Sequence, residues 1–137
     1  MKKKLNCILL VDDDQDCNFM HKRTISKLDC AENIVVTLDG EQALEYLRNP
    51  ENQRPDLIFL DVNMPKVNGW DFLEEYAKID ESLRGNVVIV MLTTSLNPED
   101  FQRAKSNELV NGFVNKYLEP DALKGVLEEN FPEIYKD

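Results

Sequence analysis

Cys7-Ile8-Leu9-Leu10-Val11 runs directly into Asp12-Asp13-Asp14. An apolar run without polar alternation, closed by acids, reads as a strand buried on both faces whose C-terminal end opens on a polar crevice. The pattern recurs along the chain. Leu57–Leu60 is closed by Asp61, Val87–Leu92 by Thr93, Thr94 and Ser95, and Phe113–Val114 leads to Lys116. Ile34–Val36 supplies a fifth run. Between these lie segments of helical period. Cys17, Met20, His21, Thr24, Ile25 and Leu28 make one stripe. Ala43, Leu44 and Leu47 mark a second helix, Trp70, Leu73, Tyr76 and Ala77 a third, Phe101 and Ala104 a fourth, and Leu123, Val126 and Leu127 a fifth. Asn97-Pro98-Glu99-Asp100 gives the fourth helix a cap, a first-turn proline and two acids, and Glu119-Pro120-Asp121 opens the fifth in a similar way.

Strand and helix alternate five times, which predicts an α/β sandwich around a parallel sheet with right-handed crossovers. The 137 residues are one domain's worth, enough to bury a core without disulfide or metal. We expect residues 1–137 to form a single domain, with its core at about 5–131 and no output domain. No repeat, linker or low-complexity stretch interrupts the pattern.

Charge narrows the possible partners. The chain has 26 Asp+Glu against 16 Lys+Arg, a formal net charge of −10. Such a chain is repelled by phosphate backbones and anionic membrane surfaces, so neither direct nucleic-acid binding nor membrane association is expected. No apolar run approaches the length of a membrane span. Cys7, Cys17 and Cys30 match no zinc spacing and read as buried free thiols of a reducing compartment. The short apolar run after the basic start is too brief for an export signal, so a cytoplasmic location is expected.

In open α/β sheets, ligands bind at the carboxyl ends of strands beside the point where strand order reverses. In the common order 2-1-3-4-5 that point lies between strands one and three, which brings Asp12 and Asp13 next to Asp61. Converging carboxylates require protonation, a cation or a lysine. An oxygen-only site suits a hard divalent ion such as Mg2+. His21, inside the first helix, is not placed to compete, and Lys116 supplies one mobile positive charge. A metal, a lysine and a hydroxyl around one carboxylate suit phosphoryl transfer, in which the carboxylate can itself be the nucleophile.

Four segments in order carry a resemblance: Ile8-Leu-Leu-Val-Asp-Asp13, Asp56-Leu-Ile-Phe-Leu-Asp61-Val-Asn-Met-Pro65 with Gly69, Val90-Met-Leu-Thr93, and Gly112-Phe-Val-Asn-Lys116. Together they resemble the receiver domain of bacterial two-component response regulators, from about Leu5 to Phe131, and the stand-alone chemotaxis-type member in particular. The resemblance implies a doubly wound, flavodoxin-like fold with five parallel strands in the order 2-1-3-4-5 and five helices. It implies that Asp61 accepts a phosphoryl group, that Asp13 binds Mg2+ directly and Asp12 through water, and that Asn63 lends the metal a backbone carbonyl. Thr93 would donate to a phosphoryl oxygen, and Lys116 would pair with Asp61. Phe113 takes the place of the family's switch aromatic, although its pattern alone reads equally as a buried strand residue. Asp14 is expected to begin the first helix.

The resemblance further implies a phosphohistidine donor on a sensor histidine kinase or a histidine phosphotransfer domain. Phosphorylation would switch a face at about Glu99–Leu127 that binds an unknown downstream protein, with the chain a monomer or a phosphorylation-dependent dimer. The chain is then no enzyme on other substrates: its phosphoryl transfer is self-directed, with autodephosphorylation influenced by Asn63 and Ser95. Tyr117 departs from the family, which usually has proline after the lysine, and a trans Lys116–Tyr117 bond or strain is expected. That departure favours the alternative of an interaction module that takes no phosphate. A remoter alternative is a phosphatase with an aspartyl nucleophile, but its general acid would fall at Asn63, which cannot serve. Trp70 reads as helix packing, and Phe19 lies off the first helix's stripe, either a neutral exposed aromatic or a kinase contact.

Overall fold

The computed structural model describes residues 4–64, 67–79, 87–94, 97–116 and 118–135. Its elements are β1 (Leu5–Val11), α1 (Gln15–Leu28), β2 (Ala31–Thr37), α2 (Gly40–Arg48), β3 (Leu57–Asp61), α3 (Gly69–Ala77), β4 (Val88–Thr93), α4 (Pro98–Ser106), β5 (Gly112–Asn115), α5 (Pro120–Asn130) and α6 (Pro132–Tyr135). The five strands form one sheet in the order β2-β1-β3-β4-β5, all neighbours parallel, as expected. The short α6 follows the fifth expected helix. Strands run a little longer than their apolar runs, since ladder bonds extend into polar flanks such as Ala31–Asn33 of β2.

Period-two alternation divides the apolar strand residues between two cores. Leu9, Val11, Ile58, Leu60, Ile89 and Met91 face α2, α3 and α4. Ile8, Leu10, Leu57, Phe59, Val90 and Leu92 face α1 and α5. Burial on both faces explains why the central runs lack polar residues.

Helix ends follow the side chains at their boundaries. Asp14 caps α1, accepting from the N–H groups of Asp16 and Cys17. Asn97 caps α4 ahead of Pro98. Asn68 and Asp71 form a reciprocal capping box at α3.

Three members of the expected stripes, Met20, Ala77 and Phe101, are exposed rather than core residues. Met20 is 47% exposed and Phe101 42% exposed. The buried face of α1 is Cys17, Asn18, His21 and Ile25. The stripe is thus rotated toward Asn18, whose polarity hid it, because Asn18 and His21 turn toward hydrogen-bonding partners at the sheet's C-terminal edge. Cys7, Cys17 and Cys30 are buried and form no disulfide among the described residues, as expected. No helix among the described residues is long and apolar enough to cross a membrane.

Candidate functional site

The strand order places the ends of β1 and β3 side by side, with Val11 paired to Leu60 and Asp12 and Asp61 one residue beyond. Asp12, Asp13 and Asp61 each offer an oxygen, and these atoms lie within 4.8 Å of one another. Asp12 and Asp61 are buried, at 3% and 4% exposure, while Asp13 faces solvent. Lys116 reaches in from the end of β5, its Nζ 2.7 Å from Asp12 Oδ2 and 3.4 Å from Asp61 Oδ2. The lysine thus bridges both buried acids and sits closer to Asp12 than to the Asp61 pairing expected for it. Thr93 is fully buried at the end of β4. Its carbonyl accepts the Lys116 N–H at 2.7 Å, tying the lysine's backbone to the threonine's.

Local bonds shape the acidic turn. Asp12 Oδ1 accepts the Asp14 N–H at 2.9 Å, and Asp14, as the α1 cap, is directed away from the pocket toward its own helix. The Asn63 N–H donates to Asp61 Oδ1 at 3.3 Å. Gly69 lets α3 approach from below: a Cβ there would stand 2.9 Å from the Asp61 carbonyl oxygen and 2.9 Å from Met91 Cε. The carbonyl belongs to a strand and cannot retreat, so only glycine fits.

The electrostatics follow from burial. Burial, then the charge of Asp12, pushes the Asp61 carboxyl up to about 6, against the pull of Lys116 and the Asn63 N–H. Burial works to lower the Lys116 pKa, but the hydrogen bond and charge of Asp12 and the charge of Asp61 outweigh it, so the ammonium is held above its ordinary value. Burial pushes the Cys17 thiol, beside the pocket, up to about 11, so it stays protonated.

Three carboxylates against one ammonium leave the cluster with an excess of negative charge and a set of hard oxygen donors. A small divalent cation fits this set by charge and donor type. Asp12, Asp13 and Asp61 are therefore brought together with Lys116, and Thr93 lies at the adjoining strand end, as expected. Phe113 lies apart on β5, half-buried, its ring edge-to-face with Phe101 at 6.0 Å. Ser95, Pro65 and Tyr117 lie outside the described residues.

Sequence reasoning gave two residues of this region no role at the site: Asn18 was passed over, and His21 was read only as a stripe member. Asn18 Nδ2 donates to the Asp12 carbonyl at 2.8 Å, and His21 Nε2 accepts the Leu118 N–H at 3.3 Å. The spacing of three residues between Asn18 and His21, on one helix face, was the available clue.

The parallel sheet in this order gathers acids, a lysine and a threonine at its carboxyl edge. The sequence matches the family described as response regulator receiver domain over residues 8–128. The probable methanogenesis regulatory protein FilR2 of Methanothrix harundinacea is 37% identical over 125 residues, spanning 89% of this chain and 79% of that protein. A two-component response regulator from Cytophaga hutchinsonii superposes with a TM-score of 0.87 at 26% identity, covering 95% of this chain and 99% of the other. The Vibrio cholerae chemotaxis protein CheY4 superposes with a TM-score of 0.74 at 28% identity, covering 93% and 99%. The chain belongs to the response regulator receiver family, the receiving side of phosphorelay signalling.

Proposed function

We propose that the chain accepts a phosphoryl group on Asp61 from a phosphohistidine of a sensor histidine kinase or histidine phosphotransfer domain. The observation that carries this reading is the convergence of Asp12, Asp13 and Asp61 oxygens within 4.8 Å, with the Lys116 ammonium 3.4 Å from Asp61. An Asp61 carboxylate oxygen attacks phosphorus in line. The new O–P bond forms as the N–P bond of the phosphohistidine breaks, and the departing imidazole takes up a proton. Asp12, Asp13, Asp61 and the Asn63 carbonyl would hold Mg2+, which when bound neutralises charge on the transferring phosphoryl oxygens.

Lys116 holds one charge against Asp61 before transfer and against a phosphoryl oxygen after it. Thr93 donates its hydroxyl to another phosphoryl oxygen. These contacts exist in the phosphorylated form alone and shift the equilibrium between two arrangements. Phe113 is the readout: its ring and that of Phe101 border a groove of about 380 Å³ between α4 and β5, also lined by Lys105, Val110 and Glu129. Repacking there alters the face offered to a downstream protein. Water then hydrolyses the acyl phosphate, at a rate that Asn63 and Ser95 influence. The reading places the protein in the cytoplasm.

The test is exposure of the purified chain to a small acyl phosphate with and without Mg2+, followed by intact mass. A Mg2+-dependent gain of one phosphoryl group, absent in Asp61→Asn, is expected. No gain in the wild type, together with no Mg2+ binding, would refute the reading and favour an interaction module that takes no phosphate.

A further inference from the structure

The Lys116 ammonium must be aimed at Asp61 from the end of an edge strand. β5 pairs with β4 on one side alone, so the turn after it has no strand to steady it. Two backbone bonds flank the lysine. On its near side the Lys116 N–H donates to the Thr93 carbonyl at 2.7 Å. On its far side the Leu118 N–H donates to His21 Nε2 at 3.3 Å, across 97 residues of sequence. His21 and Leu118 are both buried, at 2% and 3% exposure, so water is a poor substitute for either partner.

The same helix face holds the acids. Asn18, one turn before His21, donates through Nδ2 to the Asp12 carbonyl at 2.8 Å. α1 therefore grips the turn that carries Asp12 with one side chain and the turn that carries Lys116 with the next. It also packs against α5, the helix that the Lys116 turn leads into. A ring accepting at Nε2 must carry its proton on Nδ1, which requires neutral imidazole. Burial, the largest influence, holds the His21 pKa below its ordinary value, aided by Lys116 and opposed by Asp12 and Asp14.

We infer that His21 is a positioning residue for phosphoryl transfer: through the Leu118 N–H it fixes the turn after β5 and so aims the Lys116 ammonium at Asp61. The inference rests on the reading of Asp61 as the phosphoryl acceptor. His21 is not one of the clustered acids and acts through its bond to the Leu118 backbone N–H. Glutamine can present an amide oxygen where Nε2 stands, while leucine fills similar space with no acceptor.

The test compares His21→Leu and His21→Gln in the full chain, each alone and combined with Lys116→Met. Rates of phosphorylation by a small acyl phosphate in saturating Mg2+ are measured beside hydrogen exchange at the Leu118 amide. His21→Leu is expected to slow phosphorylation by about tenfold and to speed Leu118 exchange by a similar factor, the scale of one lost buried hydrogen bond. His21→Gln should restore most of both. Mg2+ affinity should stay unchanged, since the acids are untouched. In the Lys116→Met background, His21→Leu should cost nothing further. Losses that multiply in the double variant, or Leu118 exchange that His21→Leu leaves unchanged, would overturn the inference. If the wild type takes no phosphoryl group, the reading of Asp61 fails. The Lys116 Nζ resonance, followed by nitrogen-15 NMR, then decides the inference. A shift caused by His21→Leu and reversed by His21→Gln supports the positioning role, and an unmoved resonance overturns it.

Discussion

Replacing Asp61 with asparagine should make the metal-free protein more stable at neutral pH. Asp61 is 4% exposed and stands beside buried Asp12, with Lys116 shared between them. Burial, then the charge of Asp12, pushes its carboxyl from an ordinary 3.8 up to about 6. Below 3.8 the folded and unfolded chains both hold the proton, and the site costs nothing. Between the two values the folded chain keeps a proton that the unfolded chain has released. Above about 6 both are ionised, and the folded state bears the full cost of the buried charge. The penalty therefore grows as pH rises from about 4 to about 6 and stays constant beyond.

At about 1.4 kcal/mol per pKa unit, the gap from 3.8 to about 6 corresponds to about 3 kcal/mol. Asparagine keeps an oxygen to accept the Asn63 N–H but loses part of the attraction to Lys116. The net gain should be about 2 kcal/mol. Urea unfolding in a chelator measures it. With a slope of about 2 kcal/mol per molar, the midpoint of Asp61→Asn should lie about 1 M above wild type at about pH 7.5. At about pH 4.5 most of that difference should vanish. Added Mg2+ should stabilise wild type more than the variant and narrow the gap. An unchanged or lower midpoint near neutrality, or an equal gain at both pH values, would refute the reasoning.

Other perturbations act on the same pocket. Lys116→Met leaves Asp12 and Asp61 facing each other without an ammonium among the described residues, and should cost about 3 kcal/mol in the metal-free protein by urea unfolding. Adding Asp61→Asn to it should recover part of that loss. Gly69→Ala drives a Cβ to 2.9 Å from the Asp61 carbonyl. It should cost about 1–3 kcal/mol by thermal unfolding and slow acyl-phosphate labelling, because the displaced carbonyl belongs to Asp61, the proposed acceptor. Asn18→Leu removes the bond to the Asp12 carbonyl at 2.8 Å and should cost about 1–3 kcal/mol, with weakened Mg2+ binding by titration.

The sheet was legible because its central strands are largely buried on both faces, so Cys7–Val11, Leu57–Leu60 and Val87–Leu92 stand out as unbroken apolar runs. Their polar closures were legible too. A strand end that leaves the sheet must turn, and acids at Asp12, Asp13 and Asp61 at the ends of the first and third strands are informative once strand order is known. The order itself came from resemblance, since periodicity does not say which strands are neighbours. The edges were less clear: β2 and β5 each have one neighbouring strand, and their shorter or more polar runs blurred their bounds.

The supports of the site were hidden for a further reason. Periodicity sorts helix residues by polarity, and a buried polar residue violates that sort when it has a partner from a distant segment. Met20 was placed on the core stripe because it is apolar, yet it is exposed. Asn18 was passed over because it is polar, yet it is 4% exposed and bonded to the Asp12 carbonyl. His21 was read as a stripe member without a task, yet it accepts a bond from Leu118 at the far end of the chain. The candidate site groups are open to reading because the proposed chemistry restricts their residue type. The residues that bond to the flanking turns need only an acceptor or a donor in the right place, and several side chains can supply one. Such residues become visible when the partner backbone is in view, and in this pocket both partners converge on a single face of α1.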